Sequence, residues 1–339
     1  MEFIYDLGLF SAKALVLVIA ILAVVIGVFA SASKGKAEKG QLSLTNISDN
    51  LQALKGELNE QLLSKKAYKA YEKTQKQQQK EAEKAAEKSP QSRLFVVDFK
   101  AGIDAAEVAN LREEISAILS VAEKGDSVLV KVESGGGVVH GYGLAASQLD
   151  RVRQAEIELI VAIDKVAASG GYMMACVANK ILSAPFAIVG SIGVVAQLPN
   201  FNKLLKKHDI DYEQHTAGDF KRTLTLFGEN TDEGREKFQQ EIEQTHELFK
   251  TFVSNYRPQL DIDKVATGEH WFGQQALTLN LVDELTTSDD YLLTQAQLQP
   301  VFKVEYKTKK TLADRIAGNA SIAISQTLSQ LVSRWQNKG

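Results

Sequence analysis

The sequence predicts an α/β domain on a largely parallel sheet, behind one apolar N-terminal helix and a charged helical connector. Three observations predict it. Through the middle of the chain, short β-branched runs alternate with amphipathic stretches of helical period, the pattern of βαβ units. An uncharged apolar run fills residues 14–30. Between the two lies a polar segment rich in Lys, Gln, Ala and Glu.

The apolar run (ALVLVIAILAVVIGVFA) holds 17 residues, and Ser31-Ala32-Ser33 extend it tolerably. That is enough to cross about 30 Å of hydrocarbon. Ala30-Ser31-Ala32 has the look of a cleavage site, but Glu2 and Asp6 precede the first cation, Lys13, and the run outlasts a signal-peptide core. Residues 1–13 therefore read as a short N-terminal segment and 14–33 as a retained transmembrane anchor, with the bilayer as a partner. Lys34, Lys36 and Lys39 follow it, which favours a cytoplasmic body by the positive-inside rule.

Residues 34–91 form the connector. Leu44, Ile47, Leu51, Leu54 and Leu58 repeat at spacings of three and four, one apolar helical stripe. Residues 65–88 carry eight lysines and four glutamates, and Lys69, Lys73, Lys76, Lys80 and Lys84 share a face. A solvated helix or tether is the plain reading, attraction to anionic headgroups the sharper one.

Residues 92–300 are globular in texture. Strands are predicted at 94–99, 128–132 and 157–163, and helices at 104–123, 142–152 and 233–252. Residues 276–285 read as a helix followed by a short strand. A second apolar stretch, 181–198, contains Pro185, Gly190 and Gly193 and suits short buried strands, not a span. Residues 301–339 form a tail with an amphipathic pattern over 312–335.

Composition bounds the chemistry. A chain of 339 residues with 45% hydrophobic content builds one catalytic-sized core with appendages. Its net charge of −3 argues against a nucleic-acid partner, which needs a basic surface. Cys176 is the single cysteine, so intrachain disulfides and cysteine metal clusters are excluded. It sits in an apolar helical stretch and reads as packing. No cofactor or metal is expected.

Ser169, in Ala168-Ser169-Gly170-Gly171, follows a β-run where a helix begins. Carboxyl ends of parallel strands gather sites, and a helix start leaves N–H donors free for negative charge. The Gly170 N–H is a natural oxyanion donor. Ser134-Gly135-Gly136-Gly137 follows the 128–132 strand; glycines let backbone approach a substrate, and Gly136 is the candidate second donor. Without a following GK[ST], a phosphate loop fits poorly. Five histidines compete as base: His140, His208, His215, His246 and His270. None stands in a triad context, and His140 is the strongest rival. Lys221 lies in a stretch of small and turn residues, and lysine loses its proton readily when buried. Read from these residues alone, a solvated lysine is the simpler account. Ser191 offers a hydroxyl to aim the amine.

The stretches HGYGLAASQL (140–149), DKVAASGGYMMACVA (164–178), SAPFAIVGSIGVVAQ (183–197), KRTLTLFGENT (221–231) and ATGEHWFGQQA (266–276) resemble the signal peptide peptidase A family of membrane-bound serine–lysine peptidases. The resemblance covers the anchor and about residues 94–290. It implies a ClpP/crotonase-like fold, with Ser169 as nucleophile, Lys221 as general base and then acid, and Ser191 orienting the amine. It also implies Gly136 and Gly170 as oxyanion donors, peptide substrates, homo-oligomers and a place in the bacterial inner membrane. Gly135 departs from the pattern, since related loops often carry proline there. Family habit puts catalysis outside the cytoplasm, against the charge pattern, and the side stays open. Substrates are expected among membrane-derived or signal-peptide-like peptides. Two other classes are a catalytically silent membrane scaffold and a crotonase-like acyl-CoA enzyme.

Overall fold

The computed structural model describes residues 40–88 and 91–307. The anchor at 14–33 and the amphipathic pattern at 312–335 lie outside them. Among the described residues no helix is long and apolar enough to cross a membrane.

Strand β1 (Gln41–Asn46) comes first. Asn46 then caps helix α1 (Ile47–Leu62), its side-chain oxygen accepting the Asp49 N–H at 3.1 Å. That satisfies a first-turn donor with no intrahelical partner. The stripe predicted over 44–58 is therefore split, with Leu44 on the strand and the rest on the helix. Leu54 and Leu58 are exposed, so the stripe is not a core face. Helix α2 (Lys65–Lys88) follows, and its Lys69, Lys73 and Lys76 are exposed.

Alternation then sets in as predicted: β2 (Leu94–Lys100), α3 (Val108–Leu119), β3 (Ser127–Glu133), α4 (Val139–Gln154) and β4 (Glu158–Ile163). Beyond them come β5 (Val166–Ala168), α5 (Gly170–Ala175), β6 (Lys180–Ser183) and β7 (Ile188–Gly190). Helices α6 (Asn202–Lys207), α7 (Asp232–Tyr256) and α8 (Ile262–Val265) lead to β8 (His270–Phe272). Helix α9 (Gly273–Thr278), β9 (Glu284–Leu285), α10 (Ser288–Gln295) and β10 (Val301–Lys307) complete the order. Residues 181–198 contain two short buried strands, as expected.

Seven strands form one sheet in the order β1-β10-β2-β3-β4-β6-β9, and β5-β7-β8 form a second. From β10 to β9 the large sheet is parallel throughout. Strands β1 and β10 carry the sheet past the predicted 92–300 at both ends. Parallel strands covered on both faces need apolar residues at every position. In β2, Phe95, Val97 and Phe99 enter the larger core with α3, α4 and α5, while Leu94 and Val96 enter a smaller one with Leu292 and Val301.

One carboxylate sits awkwardly in this packing. Glu114 on α3 is only 5% exposed and accepts the Tyr306 N–H at 2.8 Å. Burial pushes its carboxyl up to about 7, partly offset by that hydrogen bond. With the folded value raised, its contribution is full below the unfolded value near 4.5 and fades as pH rises through about 7. Glu114→Gln is therefore expected to stabilise the protein at pH 8 by roughly 1–3 kcal/mol and to change little at pH 4.5. Urea denaturation of both proteins at the two pH values checks this.

Candidate active site

Strands β5 and β7 pair in parallel, with Ala168 opposite Gly190. Each is followed at once by a serine with positive φ, +52° at Ser169 and +54° at Ser191. Non-glycine residues avoid this region, and holding one there costs of order 1–3 kcal/mol. The surroundings impose it at both. The Ser169 N–H donates to Gly190 O at 2.7 Å, and the Ser191 N–H to Glu269 O at 2.7 Å. The two serines thus cap neighbouring strands at matching positions.

Ser169 is half-buried, and its hydroxyl makes no capping bond to the helix it precedes. Gly170 is the first residue of α5, so its N–H has no carbonyl four residues back to donate to. Ser191 Oγ donates to Gly268 O at 3.4 Å, a long contact that leaves it free to serve another partner.

The glycine loop closes over this pair. Gly136 has φ +87°, and a β-carbon there would stand 2.7 Å from both Gly170 N and Ser169 Cβ. Only glycine lets this backbone lie on the serine turn. The loop is laced to β5: the Ser134 N–H donates to Val166 O at 2.9 Å, and Ser134 O accepts the Ala168 N–H at 3.0 Å. The Gly136 N–H donates to Ser134 Oγ at 3.1 Å.

Lys221 is placed differently. It is exposed, in an irregular segment, and its N–H donates to Gly218 O at 3.2 Å. Among the described residues its amine makes no hydrogen bond or ion pair, with either serine or with an acid. The structure therefore joins Ser169, Ser191, Gly136 and Gly170, and the Lys221 amine bonds none of them. The largely irregular stretch that leads to it leaves Val195 (80%), Leu204, Ile210, Tyr212 and Phe220 exposed.

Sequence reasoning missed one neighbour, Tyr142, and the contacts of three that it named, Ser134, His246 and His270. Ser134 and Tyr142 meet through their hydroxyls, and Tyr142 OH donates to Gly102 O at 2.7 Å. Burial pushes the Tyr142 phenol up, so it keeps its proton. His246, on the charged helix α7, is half-buried with Nε2 3.3 Å from Ile192 O. His270 lies opposite Gly190 in the β7–β8 pairing. His140 is exposed on α4 and His208 ends α6. Cys176 is fully buried, its thiol donates to Met173 O at 3.2 Å, and burial pushes it up, as a packing residue requires. Among the described residues no cluster of His, Cys, Asp and Glu could hold a metal ion.

Residues 2–149 match the peptidase family S49 N-terminal region, and residues 151–301 match peptidase family S49. The chain is 50% identical to a probable protease SohB of Haemophilus influenzae, over 98% of this chain and 96% of that one. It is 57% identical to a probable protease SohB of Buchnera aphidicola subsp. Acyrthosiphon pisum, over 72% and 73%. A solved membrane-bound stomatin-specific protease aligns at a TM-score of 0.40 and 13% identity, covering 60% of this chain and 84% of that one.

Proposed function

Because the chain belongs to peptidase family S49 and is a serine peptidase, we propose that it is a membrane-anchored endopeptidase working through Ser169 and Lys221. Ser169 Oγ attacks the scissile carbonyl carbon while the Lys221 amine takes its proton. The Gly170 N–H receives the developing oxyanion. The Gly136 N–H, held in place by Ser134 Oγ, shares its proton between that oxygen and the oxyanion as a three-centre bond, the charged oxygen being the stronger acceptor. As the C–N bond breaks, Lys221 returns the proton to the leaving amine. Water, deprotonated by the same amine, then hydrolyses the acyl ester.

The observation that carries this reading is the contact of Gly136 with the Ser169–Gly170 turn. It assembles nucleophile and backbone donors within one chain, on an arrangement that suits the ClpP/crotonase-like fold. Ser191, at the matching turn, would aim the lysine amine once the two meet.

Lys221 imposes a further condition. To act as a base the amine must be neutral. Loss of solvent favours that form, and a single chain leaves Lys221 exposed. We therefore infer a homo-oligomer, with the apolar segment around Lys221 covered on assembly. The run at 14–33 would hold the assembly at the bacterial inner membrane. Peptides left in or near the bilayer, signal-peptide remnants among them, are the substrates this position favours.

The test is kcat/KM for a fluorogenic peptide across pH 6 to 10, wild type beside Lys221→Met. Activity is expected to rise through a group titrating well below 10 and to be lost in the variant. A rise only near pH 10, or a profile that Lys221→Met leaves intact, would remove lysine from the mechanism.

A further inference from the structure

We propose that Tyr142 is a positioning residue for the oxyanion donors, one side chain that sets both the Gly170 turn and the glycine loop. The inference rests on the Ser169 assignment above and extends it. Tyr142 is fully buried, and its ring edge meets Phe99 with centroids 6.4 Å apart at 81°. A β-carbon at Gly170 would overlap the Tyr142 ring and stand 2.7 Å from Tyr142 Cβ. The ring is thus the floor under the residue whose N–H faces the nucleophile.

The hydroxyl reaches the other donor, and proton counting fixes how. Gly102 O can only accept, so the phenol spends its single proton there, at 2.7 Å. Ser134 must then donate its own proton to the Tyr142 oxygen. That leaves the lone pairs of Ser134 Oγ to accept the Gly136 N–H at 3.1 Å. A one-way chain runs from Gly136 through Ser134 and Tyr142 to the backbone after β2. Such chains polarise each member and resist rotation of any one hydroxyl. Burial, which keeps the phenol protonated, keeps the direction fixed.

Without the phenolic oxygen, Ser134 has no acceptor for its proton and no fixed rotamer. The Gly136 peptide then loses its reference point before the oxyanion forms. Preorganised donors act because they need no rearrangement at the moment of reaction. The lost orientation falls on turnover, while ground-state binding of the peptide is untouched.

The experiment uses the full-length protein in detergent, a fluorogenic peptide, and a peptide boronate whose adduct on Ser169 carries a negative oxygen. Tyr142→Phe keeps the ring and is expected to lower kcat roughly tenfold, a fraction of the loss from deleting a donor. KM should hold, and boronate affinity should fall by the same factor as kcat. Ser134→Ala should do likewise, and the double variant should lose no more than the worse single one, because both act through one chain. An unchanged or raised kcat in Tyr142→Phe, or losses that multiply, would overturn the proposal. Should Tyr142→Phe fold poorly, Ser134→Ala decides alone by the same kcat and boronate readouts. Hydrolysis surviving in Ser169→Ala would instead remove the underlying assignment, whatever Tyr142→Phe does.

Discussion

Alanine at position 169 is expected to lower peptide hydrolysis by about 10,000-fold or more, the scale on which removing a nucleophile acts in serine hydrolases. The Ser169 hydroxyl makes no capping bond, so its loss leaves no buried partner unsatisfied. Folding should therefore be nearly untouched, and the melting temperature should stay close to that of the wild type. KM, where residual turnover allows it, should change little. A fluorophosphonate probe should label the wild type and not the variant. Labelling at another serine, or residual activity within a hundredfold of the wild type, would move the nucleophile elsewhere. It would also leave the strained turn at φ +52° without a catalytic use.

Asp283→Ala is expected to have the largest effect on stability, a loss of about 3–5 kcal/mol. The Arg257 side chain is only 3% exposed and meets Asp283 through two bonds of 2.8 Å. It also donates to Asn280 O at 2.7 Å and, at 3.1 Å, to the side-chain oxygen of Gln259. Asp283 also accepts the Ile181 N–H at 2.7 Å, at the start of β6. Removing the carboxylate leaves a buried guanidinium uncompensated and a strand donor unmet. Asp283 keeps 30% of its side chain in solvent, yet stranding the buried Arg257 charge is costly and replacing the pair whole much cheaper. Arg257→Met with Asp283→Leu should accordingly recover part of the loss. Urea unfolding of the three variants checks both statements. A loss below 1 kcal/mol in Asp283→Ala would show that water reaches the guanidinium.

Much of the large sheet was legible because its strands are buried on both faces. That forces near-continuous apolar runs such as those at 94–97 and 159–163. The three-residue strands β5, β7 and β8 were not separable by periodicity. Two alternations are too few to distinguish a strand from a buried loop. Strand β1 was hidden by leucines whose spacing runs unbroken through a strand–helix junction. Asn46, three residues before Asp49, was the overlooked cap signal.

Within the site, Ser169 and the glycine loop were legible because strained turns and close backbone approach demand particular residue types. The Ser134–Tyr142 contact was not. It depends on how far α4 leans back over the loop, which no local pattern encodes. The contact of His246 was hidden for a related reason: a charged helix can still turn one residue inward over Ile192. Lys221 stood out only through resemblance, since its chemistry depends on what covers it and not on its neighbours in the chain.

The pairing of Ala168 with Gly190 also constrains how this enzyme can change over evolutionary time. Hydroxyl placement is tied to ladder register, so length changes in exposed loops away from β5, β7 and the core elements between them need not move either group. A single inserted residue inside β5 or β7 would be a different matter. It would turn one serine to the opposite side of the ribbon, and length variation among descendants should therefore gather outside these two strands.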